Sequence, residues 1–158
     1  MRCLIIGCGC RGLALASGLR DAGHVVRGTT RDPGKEAVLA AAGVEPFIGD
    51  PDRVGTLVPA LQQVGVVCVL LGTAVGDTSS LHGSRLEMLL EKMLDTTVRG
   101  VVYEVAGTVP RVVLAGGAER VRIACERSRI PLALLDADPA GRVAWLERAL
   151  AAVDSLVK

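Results

Sequence analysis

The chain has 158 residues, of which 50% are hydrophobic and 22% charged, and its formal net charge is +1. This length and composition predict one globular domain, residues 1–158, and exclude a second full domain. A charge near zero, with basic residues spread along the chain, argues against DNA or RNA as a partner. No apolar stretch approaches the roughly 20 residues that cross a bilayer, so we expect neither a membrane partner nor a signal peptide.

The five cysteines do not show the pattern of a disulfide framework, because their number is odd and three of them stand in the first ten residues. This distribution predicts a reducing, cytoplasmic location. No Cys/His set has the spacing of zinc ligands, so no metal site is predicted. The mean hydropathy of +0.43 is high for a small domain and predicts self-association, as in a homodimer.

Short apolar runs alternate with longer amphipathic runs along the whole chain. The short runs predict six strands, at residues 3–6, 25–29, 45–48, 66–71, 101–105 and 132–135. Several are continuously apolar, which is typical of parallel strands covered by helices on both faces. We therefore predict an α/β, three-layer, doubly wound Rossmann fold with a six-stranded parallel sheet in the order 3-2-1-4-5-6.

Turn residues suggest where the helices begin and end. Three Asp-Pro pairs each offer a capping carboxylate and a proline suited to a first helical turn, and so predict helix starts. They are Asp32-Pro33, Asp50-Pro51 and Asp138-Pro139. Glycines before strands predict left-handed helix ends at Gly23, Gly43, Gly65 and Gly100. Residues 110–127 fit either a strand followed by a helix or one helix weakened by two glycines, and the single helix is favoured.

The first predicted strand is followed by Gly7-Cys8-Gly9-Cys10-Arg11-Gly12, a complete G-x-G-x-x-G before a helix predicted over 11–22. In such a loop the first glycine permits the tight turn, the second admits a pyrophosphate, and the third lets the helix pack closely. The helix N-terminus supplies N–H groups and partial positive charge. An ordinary glycine-rich turn is the alternative, but the strand-loop-helix context favours a dinucleotide. Cys8 and Cys10 fit this loop because packing there requires small residues, and the alternative is a thiol whose pKa is lowered by the helix N-terminus.

In a dinucleotide-binding fold, the residues at the end of the second strand determine whether the site accepts the ribose 2′-hydroxyl of NAD or the 2′-phosphate of NADP. Asp32 has the spacing for a hydroxyl partner, but its place before a proline fits a helix cap better. Arg31, with the hydroxyls of Thr29 and Thr30, forms a compact acceptor for a phosphate dianion. We therefore predict NADP rather than NAD. A solvated arginine at a helix start is the alternative.

These stretches, with 23–31 and Gly49-Asp50, resemble the cofactor-binding half of atypical short-chain dehydrogenase/reductases and NAD-dependent epimerase-like proteins. The resemblance covers the chain to about residue 71, and beyond that only the architecture matches. It implies that Arg31 holds the 2′-phosphate and that Asp50 meets the adenine. It also implies that Leu71, Gly72 and Thr73 follow the ribose and nicotinamide side.

The resemblance does not extend to the catalytic residues. That family uses a Tyr-x-x-x-Lys pair for proton transfer, and here the only tyrosine, Tyr103, has Gly107 four residues later. After the last predicted helix we expect no substrate-binding extension. The candidates for acid-base chemistry are Tyr103, Glu104 and His82. Glu104 lies at or near the end of a strand covered on both sides, so we expect it to face the crevice or to have a partner. The alternatives are a polar strand end for Glu104 and a surface histidine for His82.

Two functions follow from the sequence. The first is a small NADP-dependent oxidoreductase or epimerase-like enzyme that acts on an unknown small molecule without the usual tyrosine. The second is a dinucleotide-binding module without catalysis, serving as a sensor or as a partner of another chain.

Overall fold

The computed structural model describes all 158 residues. Strands and helices alternate along the chain: β1 (Arg2–Ile6), α1 (Cys10–Asp21), β2 (Val25–Thr30), α2 (Glu36–Ala41), β3 (Glu45–Ile48), β4 (Val66–Val69), α3 (Thr78–Leu81), α4 (Ser84–Met93), β5 (Gly100–Glu104), α5 (Arg111–Ser128), β6 (Leu132–Leu135) and α6 (Arg142–Val157). Three short 3₁₀ segments lie at Pro33–Lys35, Val54–Thr56 and Val58–Leu61.

The six strands form one parallel sheet in the order β3-β2-β1-β4-β5-β6, which confirms the predicted fold. Successive strands are added toward one edge of the sheet from β1 to β3 and toward the other edge from β4 onward, so the order of the strands changes direction between β1 and β4. In doubly wound sheets ligands bind at this point, beyond the carboxyl ends of the strands. The loops that follow β1, β2 and β4 therefore surround the crevice in which a ligand is expected.

The core has two apolar layers, one on each face of the sheet. Alternate residues of β1 enter different layers, because Cys3 and Ile5 belong to one cluster and Leu4 and Ile6 to the other. The first layer packs against α1 and α6, and the second against α4 and α5. Both faces of β1 are therefore covered by helices, as its continuous apolar run predicted.

The Asp-Pro pairs form turns rather than the first residues of α-helices. Asp32 accepts a hydrogen bond from the Gly34 N–H at 2.8 Å and begins a 3₁₀ turn before α2. Asp138 accepts one from the Ala140 N–H at 2.9 Å, and α6 begins only at Arg142. The prediction of a helix after Asp50 is wrong, since only 3₁₀ segments separate β3 from β4. Pro59, which has no N–H to donate, lies in the middle of that stretch.

The glycine predictions hold for two of the four positions. Gly23 and Gly43 have φ values of +92° and +77°, as left-handed helix ends require. Gly65 and Gly100 are not left-handed, and the residue with positive φ before β4 is Gln63, at 61°. Gly100 is instead the first residue of β5, where a Cβ would lie 3.2 Å from the Cβ of Leu156. At that position glycine serves close packing against α6.

Residues 111–128 form one helix, α5, as favoured from the sequence. Its two adjacent glycines have different surroundings. A Cβ at Gly116 would meet only the Arg120 Nη1, at 3.0 Å, whereas a Cβ at Gly117 would overlap the Tyr103 hydroxyl. Gly117 therefore gives Tyr103 its space beneath α5. No helix in the structure is both long and apolar enough to cross a membrane.

Candidate functional site

A cleft of about 420 Å³ opens at the carboxyl edge of the sheet, where β1, β2 and β4 end. The glycine loop, the end of β2 and the chain after β4 form its walls. Most of the predicted cofactor-binding side chains and loop residues line it: Gly7, Cys8, Gly9, Thr29, Thr30, Arg31, Leu71 and Thr73. A larger groove of about 510 Å³ lies between α4 and α5, away from these loops.

The glycine loop has the geometry that a pyrophosphate requires. Gly7 has φ +84°, and a Cβ there would lie 2.6 Å from the Leu70 carbonyl oxygen. A Cβ at Gly9 would meet no atom within 4 Å, so this backbone faces open space in front of α1. A Cβ at Gly12 would lie 3.2 Å from the Cys8 sulfur, which shows how closely α1 approaches the sheet. The first turn of α1 contains no acidic residue and no side-chain cap, so its N–H groups are available to an anion.

Thr29 and Thr30 have different roles at the end of β2. Thr29 is buried, and its hydroxyl accepts a hydrogen bond from the Gly7 N–H at 3.2 Å, so it supports the glycine loop. Thr30 is partly exposed, and its hydroxyl accepts from the Asp32 N–H at 3.2 Å. Of the two hydroxyls, that of Thr30 is the more exposed, and the pairing of both with a phosphate stays a prediction.

Arg31 reaches into the cleft with 61% of its side chain exposed, and its Nη1 lies 3.9 Å from the Asp52 carboxylate. Lys35 lines the same end of the cleft. Sequence reasoning missed Lys35 and Asp52, although a second basic residue four positions after Arg31 was a usable signal. This end of the cleft thus has two cations and one carboxylate.

Asp50 does not line the cleft, whereas its neighbours Gly49, Pro51 and Asp52 do. The Asp50 carboxylate accepts a hydrogen bond from the Asp52 N–H at 2.9 Å, and its own N–H donates to the Thr56 hydroxyl at 2.8 Å. These bonds shape the loop beside the cleft. A contact of Asp50 with adenine stays a prediction.

Tyr103 and His82 form a buried pair behind the cleft wall. The His82 Nδ1 and the Tyr103 hydroxyl are 2.5 Å apart, and the His82 Nε2 lies 3.0 Å from the Leu71 carbonyl oxygen. Since a carbonyl only accepts, Nε2 carries the proton, and the Tyr103 hydroxyl donates to Nδ1. Burial lowers the pKa of His82 and raises that of Tyr103. The alternative of a surface histidine is wrong, because His82 is 1% exposed.

Glu104 is fully buried on the opposite face of β5 and has three donors around its carboxylate. Its Oε1 accepts from the Gly72 N–H at 2.9 Å. Its Oε2 accepts from the Trp145 indole N–H at 2.9 Å and from the Arg11 guanidinium. The alternative of a solvent-exposed strand end is wrong for Glu104, because this side chain is buried. Its three donors are the partners that a buried carboxylate requires.

Arg11 links this carboxylate to the cleft. Its Nη2 donates to the Thr73 hydroxyl at 3.0 Å, and its guanidinium carbon lies 4.9 Å from the centre of the Trp145 ring. Sequence analysis placed Arg11 at the cofactor through its backbone but missed its side-chain role and missed Trp145. The only signal was that a carboxylate on a strand covered on both sides needs a partner.

Of the three acid-base candidates, none lines the cleft. Two of them contact the same stretch of cleft wall from behind, since His82 is bonded to Leu71 and Glu104 to Gly72, and Tyr103 is bonded to His82. Their role in proton transfer stays a prediction.

The cysteines are all free thiols, and Cys10 is the exposed one. Burial raises the pKa of Cys8 to about 11, which argues against the alternative of a thiol activated by the helix N-terminus. Its sulfur instead fills the space between Gly12 and Gly28. The structure contains no group of three or more His, Cys, Asp or Glu residues arranged to hold a metal.

The sequence matches no protein-family profile and no curated protein. Solved structures, in contrast, match the fold closely. Triphenylmethane reductase from Citrobacter sp. superposes with a TM-score of 0.73 at 19% identity, over 100% of this chain and 66% of that one. A second structure of that enzyme, complexed with NADP(H), matches with a TM-score of 0.69 at 20% identity, over 85% of this chain and 48% of that one.

UDP-glucuronic acid 4-epimerase from Bacillus cereus, in complex with NAD, matches with a TM-score of 0.67 at 16% identity, over 87% of this chain and 56% of that one. The chain spans about half the length of most of these structures. Identities this low show the fold alone. The predicted resemblance is thus confirmed for the architecture: this chain has the Rossmann fold found in short-chain dehydrogenase/reductase and epimerase structures.

Proposed function

We propose that this chain binds a nicotinamide dinucleotide in the cleft, prefers NADP to NAD, and serves a small oxidoreductase or epimerase-like reaction. The observation that carries the proposal is the open backbone at Gly9 in front of the uncapped N-terminus of α1. A pyrophosphate placed there would receive N–H groups and the positive end of a 12-residue helix. The solved structures with bound NADP(H) or NAD support this choice of ligand.

The ends of the cleft indicate how the dinucleotide would lie. In this fold the adenine ribose sits beyond the second strand, the pyrophosphate at the glycine loop, and the nicotinamide across the switch point. Arg31 and Lys35 would therefore meet the adenosine half. Leu71 and Thr73, which follow β4, would meet the nicotinamide half.

The charges at the adenosine end favour a 2′-phosphate. A carboxylate that accepts the ribose 2′-hydroxyl is the usual feature of NAD sites. Here Asp32, which has that spacing, accepts the Gly34 N–H in a turn. Arg31 and Lys35 instead face the single carboxylate of Asp52, and the exposed side chain of Arg31 is accessible to a phosphate.

Calorimetric titration of the purified protein with NADPH and NADH tests the proposal. We expect tighter binding of NADPH, and Arg31→Ala should weaken it roughly tenfold, by about 1.5 kcal/mol, the lower end for a charge-assisted contact because this side chain is exposed. NADH binding should hardly change. Arg127→Ala, which removes an exposed arginine in the last turn of α5, is the matched control and should affect neither cofactor.

Two results would count against the proposal. Equal weakening of NADPH and NADH by Arg31→Ala would mean that Arg31 has a structural role and that the preference for NADP is wrong. If neither dinucleotide binds to the folded wild-type protein, the proposed function itself is refuted.

A second candidate function is a dinucleotide-binding module without catalysis. It is favoured by the finding that Tyr103, Glu104 and His82 all lie behind the cleft wall. NADPH oxidation with a panel of carbonyl substrates separates the two functions. If a substrate is found, alanine at the true proton donor should lower kcat by about 10²–10⁴ while NADPH binding is retained.

A further inference from the structure

We propose that Glu104 is a positioning residue that holds the wall of the cleft at the nicotinamide half of the dinucleotide, with Arg11 as its link to that wall. The inference rests on the proposed function, because it concerns the same cleft. It assigns Glu104 a role other than proton transfer.

The wall in question is the backbone of residues 71–73, and each of its residues is held by a polar contact. The Gly72 N–H donates to Glu104 at 2.9 Å, and the Gly72 carbonyl accepts from the Val109 N–H at 3.0 Å. The Thr73 hydroxyl accepts from Arg11 at 3.0 Å, and Leu71 is held through His82. Leu71 and Thr73 line the cleft while Glu104 does not, so Glu104 can act on a ligand only through them.

Only a carboxylate meets the demand at position 104. The three groups around it, the Gly72 N–H, the Trp145 N–H and the Arg11 guanidinium, are all donors. A carboxylate is an acceptor at both oxygens, whereas an amide has one acceptor and one donor end. In either orientation a glutamine would therefore place an N–H against an N–H.

The same contacts explain why residue 72 is glycine. A Cβ there would lie 2.8 Å from the Glu104 Oε1 and would overlap the Ala106 carbonyl oxygen. The backbone of the wall thus lies so close to the Glu104 carboxylate that residue 72 has no room for a Cβ. Any side chain would push the wall toward the cleft.

Position in the sheet assigns the wall to one half of the ligand. Arg31 follows β2 and the wall follows β4, and β1 with the glycine loop lies between those two strands. A dinucleotide with its pyrophosphate at the loop reaches Arg31 with one half and the wall with the other. Loss of the Glu104 contacts should therefore weaken the binding of the nicotinamide half and leave the binding of the adenosine half unchanged.

The test compares NADPH with adenosine 2′,5′-bisphosphate, which carries the adenosine end alone, by calorimetric titration. Glu104→Gln should lower the affinity for NADPH about tenfold and the affinity for the bisphosphate less than twofold. Arg31→Ala should lower the affinity for both ligands. Glu87→Gln, which removes an exposed carboxylate paired with Arg120 at 3.0 Å, is the matched control and should change neither.

A second variant guards against misfolding of Glu104→Gln. The double substitution Arg11→Met with Glu104→Gln removes both charges of the buried pair and leaves no uncompensated ion, which is the main hazard of the single change. It should show the same selective loss of NADPH affinity. Circular dichroism and the emission of Trp145, the only tryptophan, report whether each variant is folded.

The outcomes separate the two proposals. If folded variants lose affinity equally for both ligands, or for neither, the positioning role is overturned while dinucleotide binding stands. If neither variant folds, the contacts serve folding and the positioning role is also overturned. If the wild-type protein binds neither ligand, the proposed function fails first.

Discussion

The two adjacent glycines of α5 allow a matched test of how Tyr103 is packed. Alanine in place of a helical glycine is worth about 1 kcal/mol of stability from backbone entropy alone. At Gly116 the new methyl group would meet only the flexible end of Arg120. We therefore expect Gly116→Ala to stabilise the protein by about 0.5–1 kcal/mol.

At Gly117 the same methyl group would overlap the Tyr103 hydroxyl and lie 2.9 Å from its Cζ. Tyr103 is fully buried and cannot turn toward solvent, so its hydrogen bond to His82 would be lost. Overpacking costs about 1–3 kcal/mol and a stranded buried polar group a similar amount. After the helical gain is subtracted, Gly117→Ala should destabilise the protein by about 1–5 kcal/mol.

Urea and thermal denaturation, each followed by circular dichroism, measure both variants against wild type. Thermal midpoints should move in opposite directions, by roughly 2–4 °C for each kcal/mol in a protein of this size. If the two variants are equally stable, the contact between Gly117 and Tyr103 does not exist as described. The buried pair behind the cleft wall would then have to be reconsidered.

Three further measurements test the site. Gly9→Val should abolish binding of NADPH and NADH but leave the unfolding free energy nearly unchanged. The reason is that Gly9 has an ordinary φ of −92° and that a Cβ there meets no protein atom within 4 Å. A large loss of stability would contradict this. Burial lowers the pKa of His82 from its ordinary 6.5, so on acidification the histidine of the unfolded chain is protonated before that of the folded protein. The unfolding free energy should therefore fall as pH drops below about 6.5, by at most about 1.4 kcal/mol per pH unit. His82→Gln should flatten the unfolding free energy between pH 7 and 5, and an unchanged slope would show that another group titrates. Finally, a thiol reagent should label Cys10 alone in the folded protein and all five cysteines after unfolding; mass spectrometry would expose labelling at a buried position.

The strands and the glycine loop were predictable because they depend on local pattern. The apolar run before Gly7 and the spacing of the following glycines specify a strand, a turn and a helix without reference to the rest of the chain. The single helix α5 was also predictable, although the reason for Gly117 was not. That reason is a tyrosine 14 positions earlier in the sequence.

The contacts behind the cleft wall could not be predicted, since they join residues far apart in sequence. Arg11 and Glu104 are 93 residues apart, and Trp145 comes a further 41 residues later. Physical reasoning from the sequence required a partner for a buried carboxylate but could not say which one. It placed Glu104 and His82 at the correct edge of the sheet and misjudged how deeply they lie, because strand ends do not reveal which face a loop covers.

The loop after β4 is attached to both helical layers at once. Tyr103 and Glu104 are neighbours in β5 and point to opposite faces, one toward the layer of α4 and α5 and the other toward Trp145 of α6. Loops normally open in small local fluctuations long before the core does. Here the loop is bonded on one side to Arg11 of α1 and on the other to His82, which is itself paired with Tyr103, so opening it breaks contacts on both faces of the sheet. The amide of Gly72 should therefore exchange its hydrogen on the slow timescale of global unfolding, although it belongs to no strand or helix.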